Sequence, residues 1–370
     1  MRRLLVIFGC LILAASTFAQ TAVTESILQP SALKPQPDGT ILVPSSDKTG
    51  KRTEAMLLTP LKPQERSAST APQTNQMLSA SAAKIACEES VLALQLALAR
   101  HGMSPGSFDG VVGPQTRAAI RAFQLKGGLP VTGTGDAETR ARLQIGGPMF
   151  TNYIVTAEDL ACLQPLGQGW LAKSQQESLA YETILELVAE KTCSSPKLVR
   201  WLNPQVIWTN ISAGTSLKTV QVPVPEIDEK AAFLRIYLGE RKLHAYGANS
   251  NLLVHFPCSI AARVDKRPLG EELHIAAIAP NPNYTFDPTV FPESEEARQL
   301  GRKLILQPGP NNPVGTVWLS LDKPGYGIHG TPKPEEVGRT ESHGCFRLAN
   351  WNVEYLLKLV GLGTPVFVEP

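Results

Sequence analysis

The hydrophobic period changes near Lys230, and that change limits what the chain can fold into. Before it, apolar residues such as Val91, Leu94 and Leu98 recur at helical spacing. After it, they fall in short β-prone stretches: Phe233 to Leu238, Lys242 to Tyr246, Leu252 to Ile260, Leu273 to Ile278 and Val317 to Leu321. Gly239-Glu240 is a hairpin signal between the first two. One helical face returns at the end, with Val353, Leu356, Leu357 and Val360, and Gly361 and Gly363 stop it. The 370 residues exceed what one ordinary domain needs, and 43% hydrophobic residues are enough for real cores. The expectation is a multidomain α+β chain, with small helical modules ahead of a mostly β domain over 230–370.

The amino end reads differently from both. Arg2 and Arg3 precede an apolar run from Leu4 to Ala15, and Thr17-Phe-Ala19 supplies small residues before a cut after Ala19. Residues 1–19 therefore read as a secretory signal peptide, and the protein as exported to the periplasm or cell envelope. The run is short for a membrane span, and no other segment is long enough. An uncleaved tether is the alternative, and lipidation at Cys10 is disfavoured because Phe8 and Gly9 precede it. Residues 20–82 are rich in Pro, Ser, Thr, Gln and Ala without a sustained apolar period, the composition of a disordered linker. The formal charge is +2, and Arg2 and Arg3 account for it, so nothing suggests a nucleic-acid partner.

Two neighbouring stretches carry the chemistry. Tyr326-Gly-Ile-His-Gly-Thr-Pro is followed, after a short loop, by Ser342-His-Gly-Cys-Phe-Arg-Leu348. A thiol with a pKa near 8.5 is a weak nucleophile until it loses its proton, and a neighbouring imidazole can take it. Gly344 lets a substrate approach the backbone, and its N–H and that of Cys345 could face a developing oxyanion. Arg347 adds positive potential that favours a thiolate and a carboxylate-bearing substrate. A zinc site built from His329, His343, Cys345 and Cys258 lacks the usual ligand spacings, so no metal or other cofactor is expected. After signal removal five cysteines remain, Cys87, Cys162, Cys193, Cys258 and Cys345, and an odd count leaves at least one thiol unpaired. Cys162 and Cys193 flank one small module, which suggests a disulfide between them.

These stretches resemble the signature of the YkuD-type L,D-transpeptidases, which remodel bacterial peptidoglycan. The resemblance runs from near Lys230 to the C-terminus. It includes Pro308-Gly-Pro-Asn-Asn-Pro-Val-Gly-Thr316, His329-Gly330, Ser342-His-Gly-Cys-Phe-Arg347 and the closing Gly363-Thr-Pro-Val-Phe-Val368. Pro268-Leu-Gly270 and Asn281-Pro-Asn-Tyr284 also fit, with Tyr284 facing either a donor groove or an ordinary loop. The resemblance implies a β-sandwich-like catalytic domain. It implies Cys345 as nucleophile and His329 as base, with Tyr326, Gly330, Ser342, His343, Gly344 and Arg347 in the oxyanion region and substrate wall. It implies attack on the carbonyl of the L-centre at stem position three, release of D-alanine, and transfer to a side-chain amine as a 3→3 cross-link. Water or an outer-membrane lipoprotein lysine are alternative acceptors, and a wall-binding scaffold without activity is the rival from another class. The implied partners are peptidoglycan stem peptides and glycan strands.

Two further modules precede that domain. Residues 83–148 contain Phe108-Asp-Gly-Val-Val-Gly-Pro-Gln-Thr-Arg117 and a weaker echo, Thr132-Gly-Thr-Gly-Asp-Ala-Glu-Thr-Arg140, and are similar to the small three-helix peptidoglycan-binding module. Residues 152–223 are similar to a degenerate βααβ lysin-motif (LysM) module. Tyr153 to Val155 forms its first strand, and a helix carries Ile184, Leu185 and Val188. A second helix starts at Ser195-Pro196 and stops at Asn203-Pro204, and Leu217 to Val222 closes the module. An insertion between Asp159 and Tyr181 departs from that pattern, leaving glycan binding and a spacer role both open. Trp170 and Trp201 are either sugar-stacking faces or core.

Overall fold

In the computed structural model the described residues are 73–370 except 341 and 343, with side chains described from residue 86 onward. The signal segment and most of the linker lie outside them. The first helix, α1 (Gln73–Arg100), already starts within the segment expected as linker.

The first module consists of the end of α1, α2 (Pro114–Lys126) and α3 (Ala137–Leu143). Leu94, Leu98, Ile120, Phe123 and Leu143 form its core. The sequence echo has a physical cause, because each copy wraps a buried glutamine. Gln95 donates to Asp109 Oδ1 (2.7 Å) and accepts from the Gly110 N–H (3.0 Å). Gln124 donates to Thr139 Oγ1 (3.0 Å) and accepts from the N–H groups of Thr132 and Gly133 (2.9 Å each). A buried amide thus satisfies loop backbone that would otherwise be orphaned. Asp109-Gly110, whose glycine has φ +71°, is therefore the outer rim of an internally tied loop.

The second module runs β1 (Phe150–Ile154), α4 (Ala157–Ala161), α5 (Gly169–Ser174), α6 (Ile184–Lys191), α7 (Pro196–Leu202) and β2 (Ser216–Val220). β1 and β2 pair antiparallel, Phe150 opposite Val220. Ser195 caps α7 through the Leu198 N–H (3.1 Å), with Pro196 at its first position. The βααβ elements lie where the sequence placed them, and the insertion holds the two short helices α4 and α5. The suspected Cys162–Cys193 bond is not present: all five described cysteines are free. Cys162 is exposed at the end of α4, where its thiol donates to the Asp159 carbonyl (3.1 Å). Cys193 packs in a different cluster, with Leu92, Phe108 and Leu198.

The third region contains β3 (Phe233–Tyr237), β4 (Lys242–Tyr246), β5 (Leu252–Pro257), β6 (Glu272–Pro280), β7 (Tyr284–Phe286), α8 (Glu295–Leu300), β8 (Leu304–Leu306), β9 (Val317–Leu321), β10 (Gly327–His329), β11 (Phe346–Arg347), α9 (Asn350–Leu359) and β12 (Pro365–Glu369). Eight strands make one sheet in the order β11-β10-β9-β6-β12-β3-β4-β5. Its pairs are antiparallel except β12 with β3 and β10 with β11. α9 lays Val353, Leu356 and Leu359 on Leu319, Ile328 and Val366 of that sheet. β7 and β8 form a separate hairpin with α8 between them.

The modules share cores across their boundaries. Leu252 of β5 joins the core of the first module, and the His255 N–H and C=O bond to Gly102 and Ser104 (3.0 and 2.9 Å). Trp170 of α5 stacks on Phe286 of β7 at 4.2 Å, and Leu179 is buried with Phe286, Leu304 and Leu306.

Candidate active site

β10 and β11 lie side by side at one edge of the eight-stranded sheet, and this brings the histidine and the cysteine together. Ile328 is opposite Phe346 and His329 opposite Arg347, so Cys345, just before β11, falls beside the start of β10. On the other side His329 faces Trp318 of β9.

His329 is only 5% exposed. Its Nδ1 lies 2.6 Å from the carbonyl oxygen of Gly330, an acceptor only, so Nδ1 carries the proton and Nε2 keeps its lone pair. The Trp318 indole stacks on the ring, centroids 5.3 Å apart and planes 25° apart. A Cβ on Gly327 would run into that indole, so the glycine is what lets the indole lie there.

Cys345 is half-buried, and its thiol donates to the Gly325 carbonyl at 3.5 Å. Burial pushes the thiol up to about 11, against the lowering effects of the Gly327 backbone and the Arg347 charge. Burial likewise pulls His329 down to about 4, with the Gly330 carbonyl opposing and Arg347 assisting. The sequence had suggested that Arg347 favours a thiolate, but desolvation outweighs it. At neutral pH the pair rests as a neutral thiol beside a neutral imidazole.

The other residues singled out in the sequence surround this pair. Ser342 is buried; its hydroxyl donates to the Cys345 carbonyl (2.5 Å) and accepts from the Gly344 N–H (3.3 Å). Gly344 therefore already has a partner for the N–H considered for an oxyanion. Arg347 is paired through its backbone with Ser259 (3.0 and 2.9 Å), and its guanidinium reaches Thr340 Oγ1 at 3.5 Å. Tyr326 follows Gly325 in the β9–β10 turn, with the Lys323 ammonium 5.3 Å above its ring. His343 lies outside the described residues. Tyr284 is on β7, and the Cys345 charge helps push its hydroxyl up to about 12, after burial. Trp170 uses one face on Phe286, whereas Trp201 is exposed on α7. Among the described residues no three His, Cys, Asp or Glu side chains are grouped to hold a metal ion.

Sequence reasoning missed what lies behind the imidazole. A Cβ on Gly330 would overlap the Asn350 side-chain oxygen, and one on Gly315 would overlap the same atom and the Gly330 backbone. Asn350 is 1% exposed and accepts from the Thr316 N–H at 3.2 Å. The segment Pro308 to Thr316 is thus packed directly beneath the peptide that orients His329. Two glycines facing one buried asparagine left no local pattern to find; only the close approach explains them.

Residues 232–368 match the family model described as L,D-transpeptidase catalytic domain, of the YkuD type. Residues 87–143 match the model described as "Putative peptidoglycan binding domain". The protein is similar to "Putative L,D-transpeptidase YkuD" of Bacillus licheniformis, at 47% identity over 64 residues, 17% of this chain and 39% of that one. It is similar to "Probable L,D-transpeptidase YbiS" of Escherichia coli K12, at 30% identity over 129 residues, 34% of this chain and 41% of that one. The chain thus spans about two fifths of the length of these relatives. The crystal structure of an L,D-transpeptidase from Xylanimonas cellulosilytica aligns over 75% of this chain and 92% of that one, at 16% identity and a TM-score of 0.33.

Proposed function

From a chain that carries a YkuD-type L,D-transpeptidase catalytic domain and a peptidoglycan-binding domain, we propose a cysteine-dependent, exported peptidoglycan L,D-transpeptidase. The observation that carries the reading is the His329 tautomer. With Nδ1–H committed to Gly330 O, the free Nε2 is the base for the Cys345 thiol on the neighbouring strand.

Both groups start neutral, so the proton moves as the bond forms. Cys345 Sγ attacks the carbonyl of the L-centre at stem position three while Nε2 takes the thiol proton. The tetrahedral oxyanion is a stronger acceptor than the Ser342 hydroxyl and draws the Gly344 N–H away from its 3.3 Å bond. The C–N bond to D-alanine breaks, and the imidazolium gives its proton to the leaving amine. A side-chain amine of a second stem then attacks the thioester, His329 removes its proton, and the thiolate leaves, which closes a 3→3 cross-link. The first module would hold the enzyme on the wall. No helix among the described residues is long and apolar enough to cross a membrane, and the reading places the protein in the periplasm or cell envelope.

The test is incubation of the pure protein with tetrapeptide monomers and dimers, with products read by mass. A cross-linked dimer with loss of alanine is the expected result. Bare tripeptide alone would make it a hydrolase on the same site, and no acyl transfer of either kind would overturn the reading.

A further inference from the structure

α6 of the second module presents two glutamates, Glu186 and Glu190, one helical turn apart, to the catalytic domain. Asn311 donates to Glu186 Oε1 (2.6 Å) and to the Ala180 carbonyl (2.9 Å). Asn350 donates to Glu190 Oε1 (2.7 Å). Asn350 is the side chain whose oxygen abuts Gly330 and Gly315, and its Nδ2 also reaches the Pro310 carbonyl (3.3 Å). A chain of contacts therefore runs from α6 to the base: Glu190, Asn350, the Gly330 peptide, His329 Nδ1.

We propose that Glu190, from outside the catalytic domain, is a positioning residue for the base: it holds Asn350 against the Gly330 peptide whose carbonyl aims the His329 imidazole. The inference rests on His329 as the base. A buried amide has two donors and one oxygen to satisfy. With Glu190 removed, Asn350 keeps only the long bond to Pro310 on its donor side, and its best alternative is to rotate. Rotation would swing Oδ1 away from the Thr316 N–H and from the space it fills between the two glycines. Outer partners that orient a metal-ligating histidine are worth about 10–100-fold in affinity or activity, and that sets the scale for a partner that orients a catalytic one.

The surroundings of Glu190 explain why a carboxyl tolerates this place. Burial, and then the Glu354 and Glu186 charges, push it up to about 7, while Asn350 and the Tyr181 hydroxyl (3.4 Å) hold it down. Cys193 lies close enough to feel the same charge. Either ionisation state of Glu190 offers Asn350 an acceptor, so the positioning role does not depend on its charge.

The test compares Glu190→Gln with Glu190→Leu in the full chain. Both remove the charge and both fill the site; leucine leaves the buried Asn350 short of an acceptor, so circular dichroism at the assay temperature first establishes that Glu190→Leu is folded. Only glutamine keeps an acceptor for Asn350. Glu190→Gln is expected to keep kcat within about twofold of wild type. Glu190→Leu is expected to lose about tenfold in kcat for tetrapeptide acylation with KM unchanged, because the substrate does not touch this residue. In 15N spectra of the imidazole, wild type and Glu190→Gln should show the Nδ1–H tautomer, and Glu190→Leu a mixture. Wild-type kcat and a wild-type spectrum in Glu190→Leu would overturn the proposal. The spectrum reads the ring whether or not the protein transfers acyl groups, so failure of the transpeptidase reading is seen separately, in an inactive wild type whose ring still responds.

Discussion

The strand pair that carries His329 and Cys345 and the helix that carries Glu190 both converge on one imidazole, but they reach it by opposite routes. The strand pair works over short chain distances: His329 and its acceptor Gly330 are neighbours, and Cys345 follows within one loop. Glu190 lies 160 residues from Asn350 in the chain, and Glu186 lies 125 from Asn311. A chemistry that must be set to a fraction of an ångström is thus assembled locally and then braced from far away. The difference teaches that the second module, although outside the matched catalytic segment, belongs to the support of the site.

The largest effect tests the local half. Cys345→Ser should fold normally and lose about a thousandfold or more in acyl transfer, since a serine hydroxyl is far harder to deprotonate. Cross-link formation on tetrapeptides, read by mass, checks it, and a variant that still cross-links removes the nucleophile from the reading.

Acid asks whether the two halves unfold together. Burial, first among its causes, lowers His329 to about 4, His255 to about 3 and His244 to about 2, all in the catalytic domain. Each unfolded imidazole binds its proton near 6.5, well above its folded value. The stability these groups contribute is present above pH 6.5 and is lost as pH falls through 6.5 toward those lower values, at up to about 1.4 kcal/mol per pH unit for each. Hydrogen–deuterium exchange read peptide by peptide, over the helices of the modules and over the strands of the β domain, should report a single acid transition. Two separated transitions would mean that the bracing contacts do not couple the modules, and the comparison would fail.

Gly330→Ala joins the two halves at their meeting point. The added methyl has nowhere to go but into Asn350, so either the Gly330 peptide or the amide must move. The expectation is a loss of about a hundredfold in kcat, the scale of a misplaced catalytic group, with little change in KM. A variant with wild-type kcat would show that the asparagine yields freely, and would weaken the case for Glu190 as well.

How much of this was legible depended on chain distance. The strands from Phe233 to Leu321, the cap at Ser195-Pro196 and the glycine-rich stretches that hold His329 and Cys345 could all be read, because alternation, cap chemistry and glycine spacing are local patterns. The paired loops around Gln95 and Gln124 showed as an echo, although the buried amides that cause it carry no signature of their own. Trp318 behind the ring, Asn350 beneath the Gly330 peptide and Glu190 behind that could not be read, since contacts between separate elements leave no mark in the neighbouring residues, and Glu190 lies 160 positions from Asn350. The free Cys162 and Cys193 were misjudged for the same reason: proximity in sequence around one module did not give proximity in space.

The smallest expected effect decides whether the brace is broad or a single contact. Trp170 belongs to the insertion that left glycan binding and a spacer role both open, and it stacks on Phe286 and touches Tyr284 and Phe291, with ring centroids 4.2, 6.3 and 5.3 Å away. Beside it the Leu171 N–H bonds to Glu296 (3.0 Å), and Leu179 is pinned by backbone bonds to Pro308 and Asn311 (2.9 Å each). The indole is half-buried, so Trp170→Ala should cost less than a fully buried tryptophan, about 2 kcal/mol. In thermal unfolding that is a drop of several degrees for a unit of this size. At temperatures where the variant stays folded, kcat should fall less than in Glu190→Leu, because the stack reaches the site only through Tyr284 and not through the contacts that end on His329. Glu190→Leu should lower kcat more than Trp170→Ala does, whatever stability it loses through the unpaired Asn350 amide. If Trp170→Ala leaves the unfolding temperature where it was, the insertion is a passive loop, and the α6 contacts, Glu186 with Asn311 and Glu190 with Asn350, tie the second module to the site.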